Sequence, residues 1–181
     1  MRIIDADGHV SEQSWMDEIK HYMPGGNSNS NVFPRLDHLH QFFLRPGVPP
    51  EAGRRVGPDE WIEFLDDAGI EWTVLYPTAG LAVGRIASED FAVAACRAYN
   101  DWLYNRFLRV SPRLKGMALI PVQDVPMAVA ELRRAVAELG MSGAMLPSNG
   151  EGLRAHLGSK LYWPLYEEAE RLGCSLAVHG G

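Results

Sequence analysis

Asp5, Asp7 and His9 alternate along the run Ile3-Ile4-Asp5-Ala6-Asp7-Gly8-His9, and His179 closes a second apolar run, Leu176-Ala177-Val178-His179. Carboxylate and imidazole are donors for divalent cations. Successive residues of a strand point to opposite faces, so Asp5, Asp7 and His9 share a direction if the backbone stays extended. Gly8 lets that backbone pass close to a ligand. Asp7 and His9 then offer one carboxylate and one imidazole, and His179 adds a second imidazole if the two runs meet. The predicted metal ligands are therefore Asp7, His9 and His179, with Asp5 holding a neighbouring ligand or the backbone behind them. One carboxylate with two imidazoles suits zinc first, and manganese, magnesium or iron where more oxygen ligands join. An Asp-x-His pair is also an ordinary strand-end turn, and a lone histidine is commonly a core or solvent residue. Convergence of the two runs is what separates these readings.

Both runs must be positioned by regular elements. A short buried strand is expected around Ile3-Ile4, followed from 11 to 57 by an irregular insertion with breakers at Pro24-Gly25-Gly26 and Pro46-Gly47-Val48-Pro49-Pro50. Beyond it the pattern is regular. Asp59 reads as the N-cap of a helix whose apolar face is Trp61, Ile62, Phe64 and Leu65. Trp72–Tyr76 is a strand closed by Pro77, and Ser88 starts a long helix reaching Phe107 at three- and four-residue steps. Gly116–Ile120, Gly143–Leu146 and Ser175–His179 read as further strands, separated by helices at 126–139 and 161–172. The strands are continuous apolar runs, which is how strands of a parallel sheet covered on both faces read. A (β/α)8 barrel and an open doubly wound sheet both fit. No Gly-x-Gly-x-x-Gly follows the first strand, which removes the best support for a dinucleotide-binding sheet. Polar residues after successive strands suit a barrel mouth, so Tyr76, Thr78 and Asn149 are candidate contacts for a small-molecule substrate. The expected fold is α/β: the first five strands of a distorted (β/α)8 barrel, one partial domain over 1–181, read as the N-terminal portion of a longer protein.

Composition excludes several classes of partner. The net charge of −6 argues against nucleic acid, whose phosphates need a basic face. There is no run of about eighteen apolar residues for a membrane span, and the acidic start does not resemble an export signal. Cys96 and Cys174 stand far apart among apolar residues and read as buried thiols in a reducing, cytoplasmic setting. The five tryptophans, Trp163 among them, read as mostly core. Other chemistry is weaker. His38-Leu39-His40 could share a face but follows no apolar strand. His21 and His156 have no partner in sequence, and Arg45 lies in a Pro-rich loop. His179-Gly180-Gly181 is similar to an esterase oxyanion segment, but no Gly-x-Ser-x-Gly elbow is present.

Taken together, Ile4-Asp5-Ala6-Asp7-Gly8-His9-Val10-Ser11-Glu12, Val74-Leu75-Tyr76-Pro77-Thr78, Leu146-Pro147-Ser148-Asn149 and Tyr162-Trp163-Pro164-Leu165-Tyr166-Glu167 with Ala177-Val178-His179-Gly180 resemble the amidohydrolase-related family. The similarity is to its branch of aminocarboxymuconate semialdehyde, resorcylate and dihydroxybenzoate decarboxylases. The resemblance implies a distorted (β/α)8 barrel, a homodimer or larger oligomer, and Asp7, His9 and His179 as ligands. It also implies a further His and Asp, and the catalytic acid, in strands beyond these five. Asp7 replaces the first His of many members, which shifts preference toward oxygen-loving ions. The implied activity is decarboxylation of a small aromatic or enoic acid, with metal-dependent hydrolysis of an amide or lactone as the alternative. A non-catalytic fragment, or a half-barrel that needs a partner copy, is a third reading, because a closed barrel needs eight strands and five are read here.

Overall fold

A computed structural model of the chain describes residues 2–25, 31–34, 55–148 and 153–180. Five strands form one sheet: β1 (Ile4–Val10), β2 (Trp72–Pro77), β3 (Leu114–Leu119), β4 (Gly143–Pro147) and β5 (Ser175–His179). Their spatial order is their chain order, and each neighbouring pair is parallel. Helices α2 (Pro58–Asp67), α3 (Glu89–Leu103), α4 (Val125–Ala137) and α5 (Trp163–Leu172) supply the crossovers, and α1 (Met16–His21) follows β1.

The local chemistry explains most boundaries. Ser88 caps α3 through Oγ, which accepts the Phe91 N–H at 3.3 Å, and Asp124 caps α4 in the same way through Met127 N–H. Gly173 ends α5 in the left-handed conformation, φ +64°. The N-cap of α2 is Gly57 and not the expected Asp59: Pro58 takes the first helical position, and Glu60 reaches back to accept the Gly57 N–H at 2.9 Å. The long helix toward Phe107 widens after Leu103 into a π turn, Tyr104–Leu108.

The segment read as wholly irregular contains structure. Glu12–Trp15 is a 3-10 turn leading into α1. At six residues α1 is too short to display a helical period. Trp15 anchors it, buried between Trp102 and Phe107 and covered by the Arg55 and Arg106 guanidiniums, 4.9 and 4.4 Å from its ring centre. The breaker cluster at 46–50, His38, His40, Arg45 and Asn149 lie outside the described residues.

The core lies between sheet and helices. Leu75, Ala118 and Ala144 lie on the helix side of the sheet, facing the layer that holds Leu65, Ala95, Leu103, Leu132 and Leu165, while Leu119 and Met145 alternate to the barrel interior; all are fully buried. A polar clamp ties α3, β3 and α4 together. Asn100 pairs with both backbone groups of Leu119 and donates to Glu131, which Arg134 holds through two nitrogens. The Asp101 carboxylate accepts from the same Arg134 at 2.6 Å.

Three burial expectations do not hold. Ile4 is 46% exposed and Val178 60%, because β1 and β5 are the two edges of the sheet and each has a single neighbour. Trp163 is 50% exposed on the first turn of α5, where Lys160 lies over its ring. Cys96 is buried as expected, but Cys174 is only partly covered; both are free thiols.

Candidate metal centre

Adjacent strands lie about 4.8 Å apart, so in a flat sheet β1 and β5 would be separated by about 19 Å, four such gaps. Instead His9 Nε2 and His179 Nε2 are 3.1 Å apart. The sheet must therefore curl, and it is half of a barrel wall with its carboxyl ends turned inward. Asp7 Oδ1 lies 3.1 Å from His179 Nε2 and 3.6 Å from His9 Nε2. The three predicted ligands come together from opposite ends of the chain, and they are the one such cluster among the described residues.

β1 reaches this geometry through a bulge. Asp5 pairs with Thr73 but Gly8 with Leu75, so β1 carries one residue more than β2 in that interval. The extra residue breaks the expected common direction. Asp5 turns to the helix side, where Oδ2 accepts the Thr73 hydroxyl at 2.7 Å, while Asp7 and His9 face the barrel interior. Asp5 remains behind the cluster: its Oδ1 accepts the Asp7 backbone N–H at 3.1 Å. Gly8 is required for space. A Cβ there would stand 2.3 Å from Thr73 Oγ1 and 3.1 Å from the Trp61 ring.

Both imidazoles have their tautomers set from behind. His9 Nδ1 lies 3.0 Å from the Pro77 carbonyl, and His179 Nδ1 lies 2.7 Å from the Gly180 carbonyl. A carbonyl only accepts, so Nδ1 carries the proton on each ring and a neutral ring turns an Nε2 lone pair inward. Burial, with the neighbouring His179 ring acting in the same direction, pushes the His9 pKa down and favours that neutral form. Two lone pairs and a carboxylate oxygen then face one point with no donor among them. Donors held at about 2.1 Å from one cation sit about 3.0 to 3.4 Å from each other in octahedral or tetrahedral shells. The two 3.1 Å separations to His179 Nε2 fall in that range and the 3.6 Å between Asp7 and His9 is slightly wider than it, a spacing a divalent ion can bridge.

Tyr76 and Thr78 border the cluster. The Tyr76 ring centre is 5.4 Å from that of His179 and 6.0 Å from that of His9. Thr78 is tied into the wall: its N–H donates to Val10 and to Glu12, and its Oγ1 is 3.5 Å from His9 Nδ1. Sequence reasoning missed Glu12 and Thr73. Glu12 is fully buried, with its carboxylate accepting the N–H groups of Thr78 at 2.8 Å and Gly80 at 2.6 Å. Burial raises its pKa to about 7, against the pull of those donors. An acid two residues past the end of β1 and three residues before Trp15 was the available signal.

Comparison with known proteins identifies the family and the fold. The family described as Amidohydrolase (Amidohydro_2) matches residues 4–181. A gamma-resorcylate decarboxylase of Polaromonas sp. is 31% identical over 125 residues, 67% of this chain and 38% of that protein. A 2-amino-3-carboxymuconate-6-semialdehyde decarboxylase of Dictyostelium discoideum is 25% identical, covering 97% of this chain and 48% of its own length. A 2-keto-4-carboxy-3-hexenedioate hydratase of Sphingobium sp. is 27% identical, over 99% and 52%. Among solved structures, 2,6-dihydroxybenzoate decarboxylase from Rhizobium superposes with a TM-score of 0.71 at 22% identity, over 99% of this chain and 50% of that one. A 5-carboxyvanillate decarboxylase from Novosphingobium aromaticivorans with bound manganese superposes with a TM-score of 0.75 at 20% identity, over 98% and 50%. The chain spans about half the length of these proteins, and the structural likeness supports a (β/α) barrel wall. The chain belongs to the amidohydrolase family.

Proposed function

We propose that these five βα units are part of a metal-dependent carboxy-lyase acting on a small aromatic or enoic carboxylic acid, with Asp7, His9 and His179 as three of the cation's ligands. The observation that carries the reading is the convergence of two carbonyl-fixed Nε2 lone pairs and a carboxylate on one point. When bound, a divalent ion supplies positive charge that orients a substrate oxygen and offsets charge developed as carbon dioxide leaves. The chain's own part is to hold the donors. Pro77 and Gly180 fix the rings, Asp5 fixes the Asp7 backbone, and Tyr76 walls the site beside both imidazoles. Manganese in the Novosphingobium neighbour favours that ion over the zinc expected from ligand type. The domain reading belongs to the same proposal: the bare apolar edges at Ile4 and Val178 suit further barrel strands, and so does the twofold length of the relatives.

A second reading is addition of water, by hydrolysis or hydration. The Sphingobium hydratase, aligned over 99% of this chain, favours keeping it. The test is a panel assay on the whole protein loaded with manganese. Carbon dioxide release from hydroxybenzoates supports the lyase. Ring-opening of lactones or hydration of an enoate, with no carbon dioxide from any acid, overturns it. For the 181-residue chain alone we expect weak ion binding and no turnover, since three donors leave the site open.

A further inference from the structure

We infer that Glu12 is a positioning residue for His9: it clamps the loop whose carbonyl sets the His9 tautomer. This rests on the metal-centre reading above. The chemistry is a closed circuit. β1 ends at Val10, and the chain turns at once into the 3-10 segment that bears Glu12. Its carboxylate reaches across to β2 and accepts the backbone N–H groups of Thr78 and Gly80, at 2.8 and 2.6 Å. Those residues lie one and three positions after Pro77, whose carbonyl is 3.0 Å from His9 Nδ1. Glu12 and His9 lie three residues apart on one segment and grip two sides of the same four-residue stretch of another, Pro77 to Gly80.

Three features make this a built arrangement and not a passing contact. Glu12 is completely buried, and a carboxylate is kept there only where donors meet it. The loop has room for it because residue 80 is glycine: a Cβ at Gly80 would lie 3.2 Å from Glu12 Oε1 and 2.7 Å from both Pro77 Cβ and Leu119 Cδ1. The turn that carries Glu12 is itself anchored by the buried Trp15. Without the clamp the Thr78 N–H retains the Val10 carbonyl at 3.2 Å, whereas no other acceptor is seen for the Gly80 N–H among the described residues. The Pro77 carbonyl is then free to drift from His9, and the ring can rotate or take its other tautomer. Outer partners of metal-bound histidines act in this way, and losing one costs about 10–100-fold in metal affinity.

The experiment compares wild type, Glu12→Gln and a control, Leu132→Ala, which empties core space on α4 away from the site. Nitrogen NMR of the metal-free chain at pH 8 reads the His9 tautomer, and manganese titration reads affinity. We expect wild type in the Nδ1–H form, Glu12→Gln in a mixture with affinity lower by about tenfold or more, and the control unchanged in both. Glu12→Gln that keeps the wild-type tautomer and binds manganese within twofold overturns the inference, as does an equal loss in Leu132→Ala. If Glu12→Gln does not fold, hydrogen exchange in wild type decides: the Thr78 and Gly80 amides must be protected, and rapid exchange at both overturns the clamp. A wild-type chain that binds no manganese yet has a single His9 tautomer, lost in Glu12→Gln, sinks the metal reading and leaves the clamp standing.

Discussion

Replacing Gly8 by alanine tests how the bulge in β1 is built. The new Cβ would lie 2.3 Å from Thr73 Oγ1, 3.0 Å from Asp5 Oδ2 and 3.1 Å from the Trp61 ring. An ordinary contact is more than about 1 Å longer than the first of these, which is core overpacking and costs about 1–3 kcal/mol. Thr73 is fully buried and stiff at χ1, so relief means breaking its 2.7 Å bond to Asp5, worth about another 1 kcal/mol. The expected loss is about 2–4 kcal/mol, read as a lower urea midpoint at unchanged slope. Thr73→Ala removes the oxygen that the Cβ meets. On that background Gly8→Ala should cost at least about 1 kcal/mol less, a coupling a double-mutant cycle resolves. Thr73→Ser keeps the oxygen but not the stiff χ1, and should give less relief than alanine. Additive losses within about 0.5 kcal/mol, or equal rescue by serine and alanine, would refute the steric argument.

Three further outcomes are expected. His179→Ala should leave the far-ultraviolet circular dichroism unchanged and weaken manganese binding by more than the about 10–100-fold typical of losing an outer partner; equilibrium dialysis measures it. Glu12 has its pKa raised to about 7 from 4.5, so its contribution to stability is full below about pH 4.5 and is lost as pH rises toward 7. The span is about 3 kcal/mol, and urea melts from pH 4.5 to 8 should show wild type declining relative to Glu12→Gln; parallel curves would contradict the burial argument. Arg134→Met should cost about 3 kcal/mol, because it strips two contacts from Glu131, 2% exposed, and leaves that charge with Asn100 and the half-exposed Arg97 at 3.5 Å.

How much of this was legible in sequence follows from what each signal measures. Apolar runs report burial, so β2 to β5 and the crossover helices stand out. His179 and the Asp7–His9 pair were visible because each closes such a run. Curl is not a property of any single run, and only the 3.1 Å meeting of His9 with His179 reveals it. The bulge was invisible for a different reason: alternation assumes one residue per pairing step, and a two-for-one step leaves no mark in residue type. Asp5 was therefore placed on the face of Asp7 when it lies on the other. Ile4 and Val178 read as core, since an apolar residue does not announce that its strand is an edge. Glu12 was passed over because charge reads as surface, although a carboxylate that caps two backbone donors can be fully buried.

The most direct measurement is a crystal structure of the chain soaked with manganese, with anomalous scattering collected at its absorption edge. One peak bonded at about 2.0–2.2 Å to Asp7, His9 Nε2 and His179 Nε2 is the expected result. No peak at that point, or an ion held by other residues while these three remain in place, would contradict it.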